Sequence, residues 1–442
     1  MRVNTPLRCQ STLIDEPSTH VKTHTGVPRR QLLQGAAAFV AGAATPLLWA
    51  ANPLKIGYVS PQSGPLASFG EADKWVIVQM RKALAGGLMV GGQRHAVEIV
   101  LKDSESKPAR ASEVALELIA RDRVTLVLTA GTTETAGPVS QACEAAGVPC
   151  ISSIAPWQAL LSSRKGDPAK GFDWTYHMFW GMEDLFASFI FGWLNAPTNR
   201  RVGGLFPDDG VGRAWSDKRN GFPQPLAGVG FTLTNPGPYA NGTLEFNAQI
   251  AAMKRDACDI VTGVMLPSDA HTFLTQARQQ RFKPKIVSLG KALLLPATLE
   301  ELGDLGDGLS TEVWWSPSHP FASSLTGQTA RDLTSAYEAD TQRQWTQPIG
   351  FAHALFEVAV DALKRTRSTA PAHVRDAVAA TRMDSIVGPV QWNGTGRSRN
   401  ISRTPLVLGQ WVKGKRNRYD LRIVCNVAHQ KIPVDGQLRL LA

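Results

Sequence analysis

Three hydroxyls in one turn are the residues best suited to holding a small molecule. Thr132, Thr133 and Thr135 follow an apolar run, residues 124–128, and precede a helical pattern. At such a place the first N–H groups of the helix and the positive end of its dipole face outward, a setting for a carboxylate or another small polar group. The chemistry implied is binding rather than bond-making. Residues 131–137, Gly-Thr-Thr-Glu-Thr-Ala-Gly, lack the Lys-Ser/Thr ending of a phosphate loop and the Gly-x-Gly-x-x-Gly of a dinucleotide turn. No Gly-x-Ser-x-Gly elbow is present. The His-x-x-x-His pair, His20 and His24, falls near the N-terminus, and the cysteine spacing matches no zinc signature. Asp208 and Asp209 read as loop or cap residues rather than a catalytic pair. An enzyme is therefore not expected, and no metal or cofactor is implied.

Elements of regular spacing must carry that turn. Residues 124–128 read as a strand buried on both faces, 138–146 as a helix that Gly147 stops, and a second strand begins at Val148. Upstream, strands are expected at 54–59 and 95–101 and helices at 70–84 and after Lys107-Pro108. Past a polar loop at 162–173 the alternation restarts, with helices at 183–194, 246–255 and 270–280 and strands at 201–206, 231–234, 260–265 and 285–289. Residues 313–315 lead back toward the first set, followed by helices at 329–341 and 350–365. Strict alternation of this kind predicts α/β architecture with two doubly wound parallel sheets. The length, 442 residues, exceeds what one core usually serves. A net charge of +10 raises nucleic acid as a partner, but the basic residues are scattered. The densest group, Lys413, Lys415, Arg416 and Arg418, reads as a solvated hairpin turn, so no nucleic acid is expected.

Three stretches together resemble the type I periplasmic solute-binding proteins of ABC transporters, and within them the branched-chain amino-acid-binding family. They are the turn 56–70, the threonine loop with Pro138 and Gly147-Val148-Pro149, and residues 387–396, Val-Gly-Pro-Val-Gln-Trp-Asn-Gly-Thr-Gly. The resemblance implies two lobes joined by three crossovers near 178, 314 and 391. Lobe I would comprise 52–178 with 315–390, and lobe II 179–314 with 391–442. It implies a monomer that delivers a small ligand to a permease in the inner membrane; a sensor domain of the same fold is the alternative. Carried over position by position, Phe69 covers one face of the ligand, Thr133 holds its carboxylate, with Thr132 a further ligand-binding hydroxyl of the same loop, and Ile154 offers a backbone carbonyl. Pro156 replaces a threonine and forfeits its hydroxyl and N–H. The carboxylate that pairs with an amino-acid ammonium is replaced by Gly290, followed by Lys291, which suits an anion instead. An acid elsewhere, such as Asp208, Asp209 or Asp269, would have to restore that charge. Carboxylates, amides and aromatic acids are therefore expected over leucine or valine. Tryptophan is abundant, 12 against 5 tyrosines, and Trp157, Trp180, Trp314 and Trp315 fall near the expected cleft.

Residues 1–51 read as an export leader of twin-arginine type, with Arg29-Arg30 before an apolar run at 35–48 too short to span a membrane. A periplasmic location follows. There disulfides persist, and Cys143 and Cys150 can pair only if their Cα atoms lie within about 7 Å; buried free thiols are the expected state.

Overall fold

In the computed structural model, which describes residues 52–392 and 399–441, strand Leu54–Ser60 is buried at every position but Lys55 and so needs cover on both faces. It lies inside a six-stranded, wholly parallel sheet in the order Ile401–Ser402, Thr175–Met178, Cys150–Ser153, Leu126–Ala130, Leu54–Ser60, Val97–Asp103. Helix Pro348–Arg365, buried along most of its length, covers one face, with Phe356 stacked on Tyr58 at 5.5 Å. The second sheet has seven strands in the order Tyr419–Cys425, Val407–Lys413, Ser310–Val313, Ile286–Gly290, Ile260–Val264, Arg201–Leu205, Thr232–Thr234. Its last five members in that order are parallel, whereas the 407–413 and 419–425 strands join as an antiparallel hairpin. The basic cluster at 413–418 sits at the turn of this hairpin.

The chain passes between sheets after Met178, after Val313 and again after Ser402. The third passage falls later than the expected 391 because Ile401 and Ser402 pair with His177 and Met178 of the first sheet. At the second passage Trp315 lies flat on helix Pro348–Arg365, and only glycine fits beneath it: a Cβ on Gly350 would come 2.4 Å from the ring.

Local differences have local causes. The helix expected from residue 138 begins at Thr133, with Pro138 inside it, where the missing N–H removes a single intrahelical bond. The strand expected at 95–101 starts at Val97, because Gln93–His95 folds back on Leu88–Val90 as a hairpin. Cys143 and Cys150 are free and buried; the adjoining Cys150, together with burial, pushes the Cys143 thiol up. The leader at 1–51 and residues 393–396 of the late glycine-rich stretch lie outside the described residues. Among the described residues no helix is long and apolar enough to cross a membrane.

Candidate ligand-binding site

Each sheet reverses its winding direction once, and the crevice at such a switch point opens at the carboxyl ends of the strands. In the first sheet the switch lies between Leu54–Ser60 and Leu126–Ala130, which are adjacent but whose chains leave to opposite sides. Phe69, at the end of the turn Ala67–Phe69, and the threonines at 132 and 133 therefore meet there. In the second sheet the corresponding switch separates Arg201–Leu205 from Ile260–Val264. Both open into one cavity of about 1850 Å³.

All seven residues singled out from the sequence border this cavity: Phe69, Thr132, Thr133, Ile154, Pro156, Trp157 and Lys291. Thr132 takes the position before the helix and Thr133 its first turn, where N–H groups have no acceptor within the helix. Ile154 and Lys291 share a second feature. Each follows a sheet strand, one in each lobe, and each has left-handed backbone, with φ of 68° and 66°. Such a conformation is uncommon away from glycine, most of all for a β-branched residue, and turns the chain sharply at the cavity wall. Pro156 precedes helix Trp157–Ser163 with φ of −52°, a value its ring favours. Trp157 donates its indole N–H to Glu183 at 3.3 Å, and Arg403 pairs with both Glu183 and Asp184.

The charges differ from the expectation in two ways. Lys291 does not stand free: its ammonium lies 3.5 Å from Glu134 of the opposite lobe, and Glu134 also accepts from the Thr132 hydroxyl. Burial alone would raise the Glu134 carboxyl, yet the Lys291 cation and that hydroxyl hold it below its ordinary range. Secondly, acids do reach the wall, one of those named, Asp209, and one that was not, Glu312. Glu312, on strand Ser310–Val313, accepts from the Lys291 N–H at 3.0 Å and from the Thr311 hydroxyl at 2.8 Å, and burial raises its carboxyl. A Cβ on Gly290 would lie 3.6 Å from a Glu312 oxygen, so Glu312 reaches across from the neighbouring strand to the space beside position 290. Asp209 also borders the cavity, accepting from Gly212 N at 2.8 Å as a helix cap. Asp208 instead pairs with Arg213, and Asp269 is buried against Gly242 N at 2.9 Å. Sequence reading missed Glu312 because a single acid in a four-residue strand, Ser-Thr-Glu-Val, has no local signature.

Aromatic rings supply much of the remaining wall. Trp180, Phe179 and Trp314 gather at the passages between lobes, with Phe179 4.8 Å from Trp180 and 5.1 Å from Trp314. Trp215 borders the cavity from the second lobe, edge-on to Phe186 at 5.1 Å. Trp315 turns away and donates to Ile386 O. Among the described residues no three His, Cys, Asp or Glu gather to hold a metal ion.

A family model described as periplasmic binding protein matches residues 53–416. The chain belongs to the periplasmic binding proteins. Solved structures share the fold at low identity. A leucine binding protein from Thermotoga maritima superposes with a TM-score of 0.68 at 18% identity, over 84% of this chain and 99% of that one. A solute binding protein of an ABC transporter from Rhodopseudomonas palustris BisB5, solved with 3,4-dihydroxy benzoic acid, gives 0.64 at 19% identity, over 83% and 95%. Another from R. palustris, in complex with 4-hydroxybenzoate, gives 0.67 at 17% identity, over 85% and 96%. This periplasmic binding protein is thus a solute-binding protein, not an enzyme, and its family works outside the cytoplasm.

Proposed function

We propose that this periplasmic binding protein is the solute-binding component of an ABC importer, that its ligand is a planar organic acid or amide, and that it presents the liganded form to an inner-membrane permease. The observation that carries the ligand class is the aromatic wall: Phe69, Trp157, Phe179, Trp180, Trp215 and Trp314 border one cavity from both lobes and the passages between them. At about 1850 Å³ that cavity exceeds the roughly 300–1,000 Å³ usual for a small-molecule site, more room than an aliphatic amino acid needs. In this reading the Thr133 hydroxyl and the helix N-terminus hold the ligand carboxylate or carbonyl, Phe69 and Trp157 cover its faces, and the Ile154 carbonyl and Glu312 receive donors such as an amide N–H or a phenol. Pro156 adds apolar surface and Lys291 a cation. Ligand contacts from both lobes bias the hinge toward closure, which is the signal a permease reads.

The lobes in this reading are 52–178 with 315–392 and 399–402, and 179–314 with 403–441, and the protein acts as a monomer exported by its twin-arginine-like leader. Native mass spectrometry of the protein purified from its own periplasm tests the ligand class. A co-purifying aromatic carboxylate or amide is expected, and leucine, isoleucine or valine alone would overturn it.

A further inference from the structure

Among the described acids that border the cavity, Glu312 is the one shut away from water without a cation. It is 2% exposed and, among the described residues, enters no ion pair. Lys291 meets it through the backbone N–H at 3.0 Å, while the Lys291 ammonium turns to Glu134. The charged groups on the elements packed around it are committed elsewhere. Strand Ile286–Gly290 carries no titratable side chain, and strand Val407–Lys413 carries Lys413, 3.2 Å from Asp304. Helix Met182–Trp193 carries Glu183 and Asp184, both with Arg403, and helix Gly210–Ser216 carries Arg213, paired with Asp208. An ionised carboxyl buried without a cation is costly, and such a group ordinarily neutralises itself instead. Burial raises the Glu312 carboxyl against the opposing hydrogen bonds from Lys291 and Thr311.

Thr311 gives a second, independent sign. It is fully buried, and its hydroxyl lies 3.0 Å from Leu289 O and 2.8 Å from Glu312 Oε2. A hydroxyl has one hydrogen, and both of these neighbours are acceptors while Glu312 is ionised. With a proton on Oε2 each contact has its own hydrogen: Glu312 donates to Thr311 Oγ1, and Thr311 donates to Leu289 O. Oε1 still accepts from the Lys291 N–H and keeps a lone pair for a ligand donor.

We propose that Glu312 holds a proton on Oε2 in the unliganded protein at neutral pH, donated to Thr311 Oγ1, and that the wall beside position 290 thereby favours an anionic or uncharged group over an ammonium. The effect works through charge: Oε2 lies 3.6 Å from where a Cβ on Gly290 would stand. An ammonium at that place gains an ion pair only once the proton has left Glu312, so binding a cation hands that proton to the buffer. An anion or amide meets a wall already neutral, with Lys291 balanced by Glu134. The selectivity deepens the reading that this cavity takes planar acids and amides and rests on it; the protonation state stands apart from it.

The test reads the proton itself. Infrared spectra of the unliganded protein at neutral pH, wild type minus Glu312→Gln, should show the C=O band of a protonated carboxyl that the variant lacks. The subtraction cancels other buried acids such as Asp73 and Glu357, and Glu312→Met serves it equally if the glutamine variant does not fold. Carboxylate bands in place of the acid band overturn the proposal. Titration calorimetry then reads the consequence in wild type, with benzoate and benzylamine each measured in phosphate and in Tris at one pH. Benzoate should bind without proton exchange and at least about tenfold more tightly than benzylamine, and benzylamine, if it binds, should release about one proton. Benzylamine binding as tightly as benzoate with no proton released overturns the proposal. So does a gain of about tenfold or more for benzoate in Glu312→Gln, the response to losing a negative charge. If neither probe binds, the planar-acid reading fails, and the infrared difference alone decides the state of Glu312.

Discussion

Replacing Glu134 with glutamine separates two roles for Lys291. In the structure the Lys291 ammonium lies 3.5 Å from Glu134, with side chains 22% and 43% exposed. At an effective dielectric of about 20 the bare attraction at that distance is about 5 kcal/mol. Solvation and side-chain entropy reduce exposed pairs to about 0.2–1 kcal/mol net. Partial burial of the lysine places this one near the upper end, about 1 kcal/mol, or about fivefold in an equilibrium constant. If Lys291 serves the ligand anion, Glu134 competes with it. Glu134→Gln should then tighten an aromatic carboxylate by about fivefold and leave the matching amide, benzamide against benzoate, unchanged. Titration calorimetry at low and high salt reads this directly, and the gain should shrink as salt screens the freed cation. Equal changes for acid and amide, or weakening of both, would refute the competition and make the pair only a bridge between lobes.

Thr133→Ala should weaken carboxylate ligands by about 1.5–3 kcal/mol through loss of a hydrogen bond to a charged group, measured by calorimetry; unchanged affinity removes Thr133 from the site. Phe69→Ala should cost planar ligands more than a small aliphatic one such as isoleucine, since the loss is contact area; equal losses argue against that role. Asp73, buried at the start of helix Asp73–Ala83, has its carboxyl pushed by burial from 3.8 to about 7, with the nearby Ser60 and Tyr58 hydroxyls opposing the rise. Between those values the folded state keeps a proton that the unfolded chain has released, so the Asp73 contribution to stability is present below pH 3.8 and declines toward about pH 7. Asp73→Asn should therefore gain on wild type in urea unfolding as pH rises from 4 to 8, by up to about 4 kcal/mol; parallel profiles would contradict this.

Much of the fold was legible because alternation and turn residues are local signals. The strand before Thr132, the glycine that ends the helix at 147 and the return through Val313-Trp314-Trp315 could each be read within a dozen residues. The site was legible only in part. Thr133 and Ile154 lie just past strand ends and Phe69 in the turn that leaves the first strand, all on the carboxyl side of one sheet, so their order along the chain already implied their meeting. Glu312, Trp215 and the Lys291–Glu134 pair depend on which strands and lobes face each other, and nothing near them in the chain announces that. The third passage was misplaced because Ile401–Ser402 is a two-residue strand, too short to show a period.

The measurement that bears most directly on the planar-acid reading is a thermal-shift screen of the purified protein against amino acids, aromatic acids and amides. A ligand present at 100 times its dissociation constant adds about 2.7 kcal/mol of stability, well within detection. Benzoate-like acids or their amides are expected to raise the melting temperature more than leucine, isoleucine or valine do. If only the branched-chain amino acids raise it, Glu312 serves an ammonium, the aromatic wall is packing, and the ligand class proposed for this cavity is wrong.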